Sequence, residues 1–245
     1  MSKSVEYIEN LLRIQKEILA WELPNIQAAA EAVAKALETG HKVFAFGTGH
    51  SHMLAEEMFY RAGGLVKIVP ILEEELMLHK SASDSTVTER RENYGRELYK
   101  KWNIRPGDVL FVFSNSGRNA VSVDMALEAR ENGVPVIALT NLNHAKSSSS
   151  RHPSGKSLHD IADIVLDNHG CVGDASIYIE KLGRNVAPTS TSAGAMILNA
   201  IESEAVDILC EKNIVPEVFA SSNVDKGDEI NNTFLEKYKG VLPCL

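Results

Sequence analysis

Two apolar patterns alternate along this chain. One is a short unbroken run, seen over 42–46, 65–72, 108–113, 135–140 and 162–166. The other recurs at helical spacing. Ile8, Leu11, Leu12, Ile18 and Leu19 predict a helix over 4–23. Ile26, Ala29, Ala30, Val33 and Leu37 predict a second, separated from the first by Pro24 and stopped at Gly40. Further helices are predicted over 53–61, 88–102 and 119–131. A long one after Ser192 carries Ala193, Met196, Ile197, Ala200, Ile201, Ala205, Ile208 and Leu209. Apolar strands alternating with helices imply an α/β fold, with a five-stranded parallel sheet covered on both faces as a three-layer sandwich. Pro70 predicts an edge position for the second strand.

The remaining segments lack either period. Residues 143–160 are rich in Ser, Lys and His and read as a surface loop, with His144, His152 and His159 exposed. Residues 167–187 read as a long irregular connection of the kind that is usually functional. The tail, 213–245, is expected to hold a turn at Asn231-Asn232 and a short helix ending near Tyr238. The organisation expected is one domain over 1–245: N-terminal helices over 1–40, an α/β core over 41–212 and a tail. The first helices pack on the sheet or on another subunit.

Composition narrows the function classes. The net charge is −8 and no basic run stands out, which argues against a nucleic-acid or anionic-membrane partner. Any positive field for an anion must therefore be local. Cys171, Cys210 and Cys244 form neither a disulfide framework nor a zinc motif, which suits the cytoplasm. The N-terminus lacks the pattern of a signal peptide, and no apolar stretch nears the ~20 residues of a membrane span.

Three loops carry the candidate chemistry. Gly47-Thr48-Gly49-His50-Ser51-His52 follows the first strand and opens a helix. Two of its glycines fit a dinucleotide fingerprint and Glu73 sits where a ribose acid would, but His52 breaks the pattern. The same loop suits a phosphosugar, since its glycines admit close approach and Thr48 and Ser51 supply hydroxyls. Ser114-Asn115-Ser116-Gly117 ends the third strand just before a helix starts at Asn119, a natural anion pocket. Pro188-Thr189-Ser190-Thr191-Ser192 places four hydroxyls at a helix start, where one suffices for capping. Gly155-Lys156-Ser157 lacks the earlier glycine of a phosphate loop and reads as surface. His52 and Glu56, at i, i+4, could pair on one helix face.

Together the GxGxS loop, the SNSGRN segment and PTSTSAGAM resemble the SIS (sugar isomerase) domain family over about residues 26–210. The likeness is to phosphoheptose-isomerase-like SIS proteins of bacteria. It implies a flavodoxin-like doubly wound sheet, a homodimer or homotetramer, and sugar-phosphate binding. The resemblance assigns the phosphate to Ser114, Asn115, Ser116, Gly117 and Asn119, with Thr189, Thr191 and Ser192 completing its cradle. Gly47, Thr48, Gly49, His50 and Ser51 would face the ligand. Phosphoheptose isomerases also place a His and a catalytic Glu at i, i+4 in the helix after the serine loop. Here that Glu would fall near Tyr60 or Arg61, and His52 and Glu56 are displaced by about a turn. No metal or cofactor is expected. The expected activity is aldose–ketose isomerisation, with Glu57, Glu75, His79 or Glu180 moving the proton. A non-catalytic phosphosugar sensor and an amino-sugar phosphate lyase or etherase are the alternatives.

Overall fold

The computed structural model describes residues 2–245. Two helices lead, α1 (Lys3–Trp21) and α2 (Leu23–Glu38), with Pro24 in the first turn of the second, where its missing N–H costs nothing. The sheet follows: β1 (Val43–Gly47), β2 (Ile68–Ile71), β3 (Val109–Phe113), β4 (Val136–Thr140) and β5 (Ile164–Asp167). All neighbours pair in parallel in the order β2-β1-β3-β4-β5. Pro70 thus lies in an edge strand, as expected.

Alternate side chains of each strand enter opposite cores, the consequence of a two-residue period. Val109, Phe111 and Phe113 pack with α2, α3 (His52–Met58) and α8 (Ser190–Glu211). Leu110 and Val112 pack on the other side with α5 (Tyr94–Lys101) and α6 (Ala120–Glu131). This is the three-layer sandwich anticipated. Within the chain, α1 buries Ile14 and Ile18 in the first core, while Val5, Ile8, Leu12 and Leu19 stay exposed.

Four local expectations are corrected. The helix expected over 88–102 is broken: α4 (Ala82–Thr88) ends before it, and Asn93, at φ 64°, turns the chain into α5. Just inside α5 the chain packs tightly on α6, where a Cβ on Gly95 would lie 2.2 Å from the Val121 carbonyl oxygen. Residues 167–187 are irregular only over 168–174. From 175 on they form an antiparallel hairpin of β6 (Ala175–Ile179) and β7 (Arg184–Pro188). The 143–160 loop begins inside a short helix, α7 (Leu142–Lys146), and its histidines are half-buried rather than exposed. His152 Nε2 lies 3.0 Å from the Asp124 carboxylate, and burial lowers the pKa of His144. Finally, Asn231 is no turn residue. It lies inside α9 (Gly227–Tyr238), where its amide bonds both the N–H and the carbonyl of Ala220 and clamps the tail.

Candidate functional site

The chain leaves β1 toward β2 and leaves β3 toward β4, so the carboxyl ends of β1 and β3 flank the crevice of a doubly wound sheet. Both loops there are shaped by glycine. After β1 the backbone folds back in a 3-10 turn over Gly49–Ser51, and a Cβ on Gly47 would meet the Ser51 carbonyl at 2.5 Å. After β3, Gly117 takes φ 62°, and its N–H donates to the Ser114 carbonyl and hydroxyl at 3.1 Å each. That turn leaves the Ser116 hydroxyl and the N–H groups of Ser116 and Asn119 without intrachain acceptors, at the start of α6.

A chain of amides holds the floor. Asn141 Nδ2 donates to Asn168 Oδ1 at 2.8 Å, and Asn168 Nδ2 donates to Asn115 Oδ1 at 2.7 Å. The Gly170 N–H also donates to Asn168 Oδ1, at 3.0 Å. This fixes Asn115 with its own Nδ2 free to donate. The third contributor, the start of α8, reaches the same edge. Asp174 accepts from the N–H groups of Thr189 (3.0 Å) and Ser190 (2.9 Å) and from the Ser190 hydroxyl (2.6 Å). The Thr191 and Ser192 N–H groups stay open at the positive end of a 22-residue helix.

His50, Ser51, Ser114, Asn115 and Thr191 line one cleft at this edge, joined there by Leu54, Leu139, Asn168 and Ser190. Three further sequence-derived candidates support it from behind. Thr189 is 0% exposed, so it positions the helix start and does not face the cleft. Asn119 caps α6 and accepts from the Arg151 guanidinium at 2.8 Å. Thr48 is buried and donates its hydroxyl to a carboxylate oxygen of Glu89 at 2.8 Å. His52 is also committed locally, its Nδ1 against the Gly49 carbonyl and its Nε2 3.7 Å from Glu56. Among the described residues, no group of three His, Cys, Asp or Glu side chains could hold a metal ion.

The four residues expected to move a proton are scattered. Glu57 pairs with Arg61 and accepts from Asn199, which lies on α8 nine residues beyond Ser190, or about 14 Å down the helix. Glu180 sits at the hairpin tip, a strand length of about 16 Å from Thr189. Glu75 and His79 remain on the cleft edge of the sheet but are exposed. Leu78, beside His79, borders Gly49, and a Cβ there would lie 4.0 Å from its side chain. Glu73 is held by Lys101 and Trp102, which removes it from a ribose-binding role.

A different carboxylate, Glu89, is tied to the β1 loop. It caps the end of α4, its carbonyl accepts from the Val121 N–H at 3.2 Å, and its side chain reaches the β1 loop. Glu89, Asp174, Asn168 and Arg118 were absent from the sequence-derived set. Only Arg118 had a signal, its place next to Gly117.

Comparison with known proteins bears on the family and the fold. A family model described as the SIS domain matches residues 6–141. A UPF0309 protein of Geobacillus thermodenitrificans is 43% identical over 240 residues, spanning 98% of this chain and 96% of the relative. Another, from Listeria monocytogenes, is 44% identical over 239 residues, spanning 98% and 97%. Among solved structures, a phosphoheptose isomerase from Francisella tularensis superposes with a TM-score of 0.58 at 18% identity, over 84% of this chain and 98% of that one. At that identity the likeness concerns the fold. With a matched span that holds both glycine-shaped loops, and relatives alike over nearly their whole length, the chain belongs to the SIS domain family, alongside the UPF0309 proteins.

Proposed function

We propose that the cleft binds a sugar phosphate and that Glu89 moves a proton between C1 and C2 of the bound sugar, an aldose–ketose isomerisation. One observation carries this reading. The loops after β1 and β3 and the start of α8 line one cleft at the same sheet edge, and the Glu89 carboxylate is hydrogen-bonded to the first of these loops. A phosphate suits the donors, because it presents several acceptor oxygens to N–H groups at two helix starts. Ser114, Ser116, Asn115 and the open α8 terminus would hold it. The sugar then extends toward His50 and Ser51, with Thr48 behind them.

In the open-chain aldose, the Glu89 carboxylate takes the C2 proton while the C1 carbonyl oxygen gains one, giving an enediol. Loss of the O2 proton and return of a proton to C1 yields the ketose. Thr48 keeps the carboxylate aimed at the ring-opened sugar. Binding energy from the phosphate, remote from the reacting carbons, is expressed as orientation at C1 and C2.

A thermal-shift panel of sugar phosphates set against nicotinamide dinucleotides tests the binding. Sugar phosphates should raise the melting temperature. Stabilisation by a dinucleotide alone would overturn the reading. For any binder, proton NMR in deuterated water should show solvent exchange at C1 or C2. Binding without exchange would point to a sensor instead.

A further inference from the structure

We propose that the sugar phosphate bound here carries a second anionic group, a carboxylate or a second phosphate, and that Arg118, Arg151 and Arg90 receive it. The inference rests on the phosphosugar reading above and adds the substrate class.

Arg118 follows the cradle glycine directly and is half-buried, and its Nε is enclosed without any acceptor. A charged donor left unpaired out of water is costly, so a site that keeps one is built for a partner. Arg151 is fastened to the same loop. Its N–H donates to the Arg118 carbonyl at 2.9 Å, and its guanidinium donates to Asn119 at 2.8 Å. Arg90 adjoins Glu89, whose carboxylate faces the opposite loop. Arg13, Arg61, Arg91 and Arg96 each form an ion pair; these three, like Arg105, Arg130 and Arg184, form none among the described residues, and of the six only Arg118 encloses an unpaired guanidinium nitrogen. Burial lowers the pKa of Arg151, the positive charges of Arg90 and Arg118 lower it further, and the single Glu89 carboxylate opposes them only in part. Arg118 follows the cleft loop, and Arg90 and Arg151 stand exposed within reach of its charge; three cations gathered there, in a chain of net charge −8, suit an anion.

The phosphate itself does not need them. Its donors are neutral: the Ser116 hydroxyl, the free loop N–H groups and the open start of α8. The guanidinium fork matches a carboxylate or a phosphate in two parallel hydrogen bonds, so a second acid on the sugar is the fitting occupant.

Titration calorimetry with matched pairs tests the idea: fructose 6-phosphate against fructose 1,6-bisphosphate, and glucose 6-phosphate against gluconate 6-phosphate. In at least one pair the second acid should tighten binding by about tenfold or more, with a steeper salt dependence. Arg118→Gln and Arg151→Gln should each remove most of that preference. Arg118→Lys should restore only part of it, because the charge returns without the fork. Unfolding temperatures like the wild type's confirm that the variants fold. Equal affinity within both pairs would overturn the second-anion inference and leave sugar-phosphate binding intact. Equal weakening of both members of a pair by Arg118→Gln would also overturn it, by placing Arg118 on the shared phosphate. If none of the four compounds binds the wild type, the phosphosugar reading itself fails.

Discussion

Glu202 gives the sharpest quantitative prediction. It lies on α8, 7% exposed, against the turn that leads into β2, and a Cβ on Gly64 would sit 3.5 Å from its carboxylate. Burial pushes its pKa from 4.5 up to about 8. A backbone hydrogen bond at Leu65 opposes the shift, the Glu57 charge adds to it and Arg61 subtracts. The folded protein therefore holds a proton that the unfolded chain releases above pH 4.5. The stability tied to this proton is complete below pH 4.5 and is lost as pH rises toward 8. Between those values, at about 1.4 kcal/mol per pH unit, the loss is about 5 kcal/mol. A whole domain is stable by only about 5–15 kcal/mol, so the effect is large. Glu202→Gln keeps the shape and a neutral polar group but has no proton to lose. Urea unfolding of both proteins near pH 5 and near pH 8.5 measures the difference, and other titrating groups cancel between them. The wild type should lose about 3–5 kcal/mol more than the variant between the two conditions. Parallel loss in the two proteins would mean that Glu202 is ionised in the folded state, and the argument would be wrong.

Other outcomes are equally open to measurement. Ser116→Ala should weaken sugar-phosphate binding by ~1–3 kcal/mol in calorimetry, and unchanged affinity would remove Ser116 from the phosphate site. Glu89→Gln retains an acceptor for the Thr48 hydroxyl but cannot take a proton. It should cut solvent exchange at C1 and C2 by about 10²–10⁴-fold with binding retained, and undiminished exchange would clear Glu89 of the proton transfer. The homo-oligomer implied by the family resemblance would cover the exposed Val5, Ile8, Leu12 and Leu19 of α1. Light scattering should then give a multiple of 26.8 kDa, reduced by Leu12→Lys; a wild-type monomer would refute it.

What the chain states by itself is local. The five apolar runs read as strands because burial on both faces leaves no polar position, and all five are present, with 65–72 shortened to Ile68–Ile71. The three loops were legible because glycine at a strand end and hydroxyls at a helix start satisfy nearby backbone groups. Both requirements lie within a few residues of each other. The hairpin 175–188 escaped notice because its strands lie mostly at the surface, where only Ile177 is buried and alternation is weak. The split between α4 and α5 is not legible because an asparagine in the left-handed region, Asn93, leaves no periodic signal.

The chemistry of the site was decided by tertiary structure. Glu89 meets Thr48 across 41 residues and Asn168 meets Asn115 across 53. Asp174 meets the start of α8 only because the hairpin returns the chain to its own base. The three arginines come from three separate segments. No short-range period or spacing encodes such meetings; they follow from the strand order β2-β1-β3-β4-β5, which sets which loop ends share an edge. The sequence alone thus determined which loops are shaped by glycine and hydroxyls at strand ends and helix starts. Which carboxylate meets the β1 loop, and which side chains gather behind these loops, came from how the layers pack.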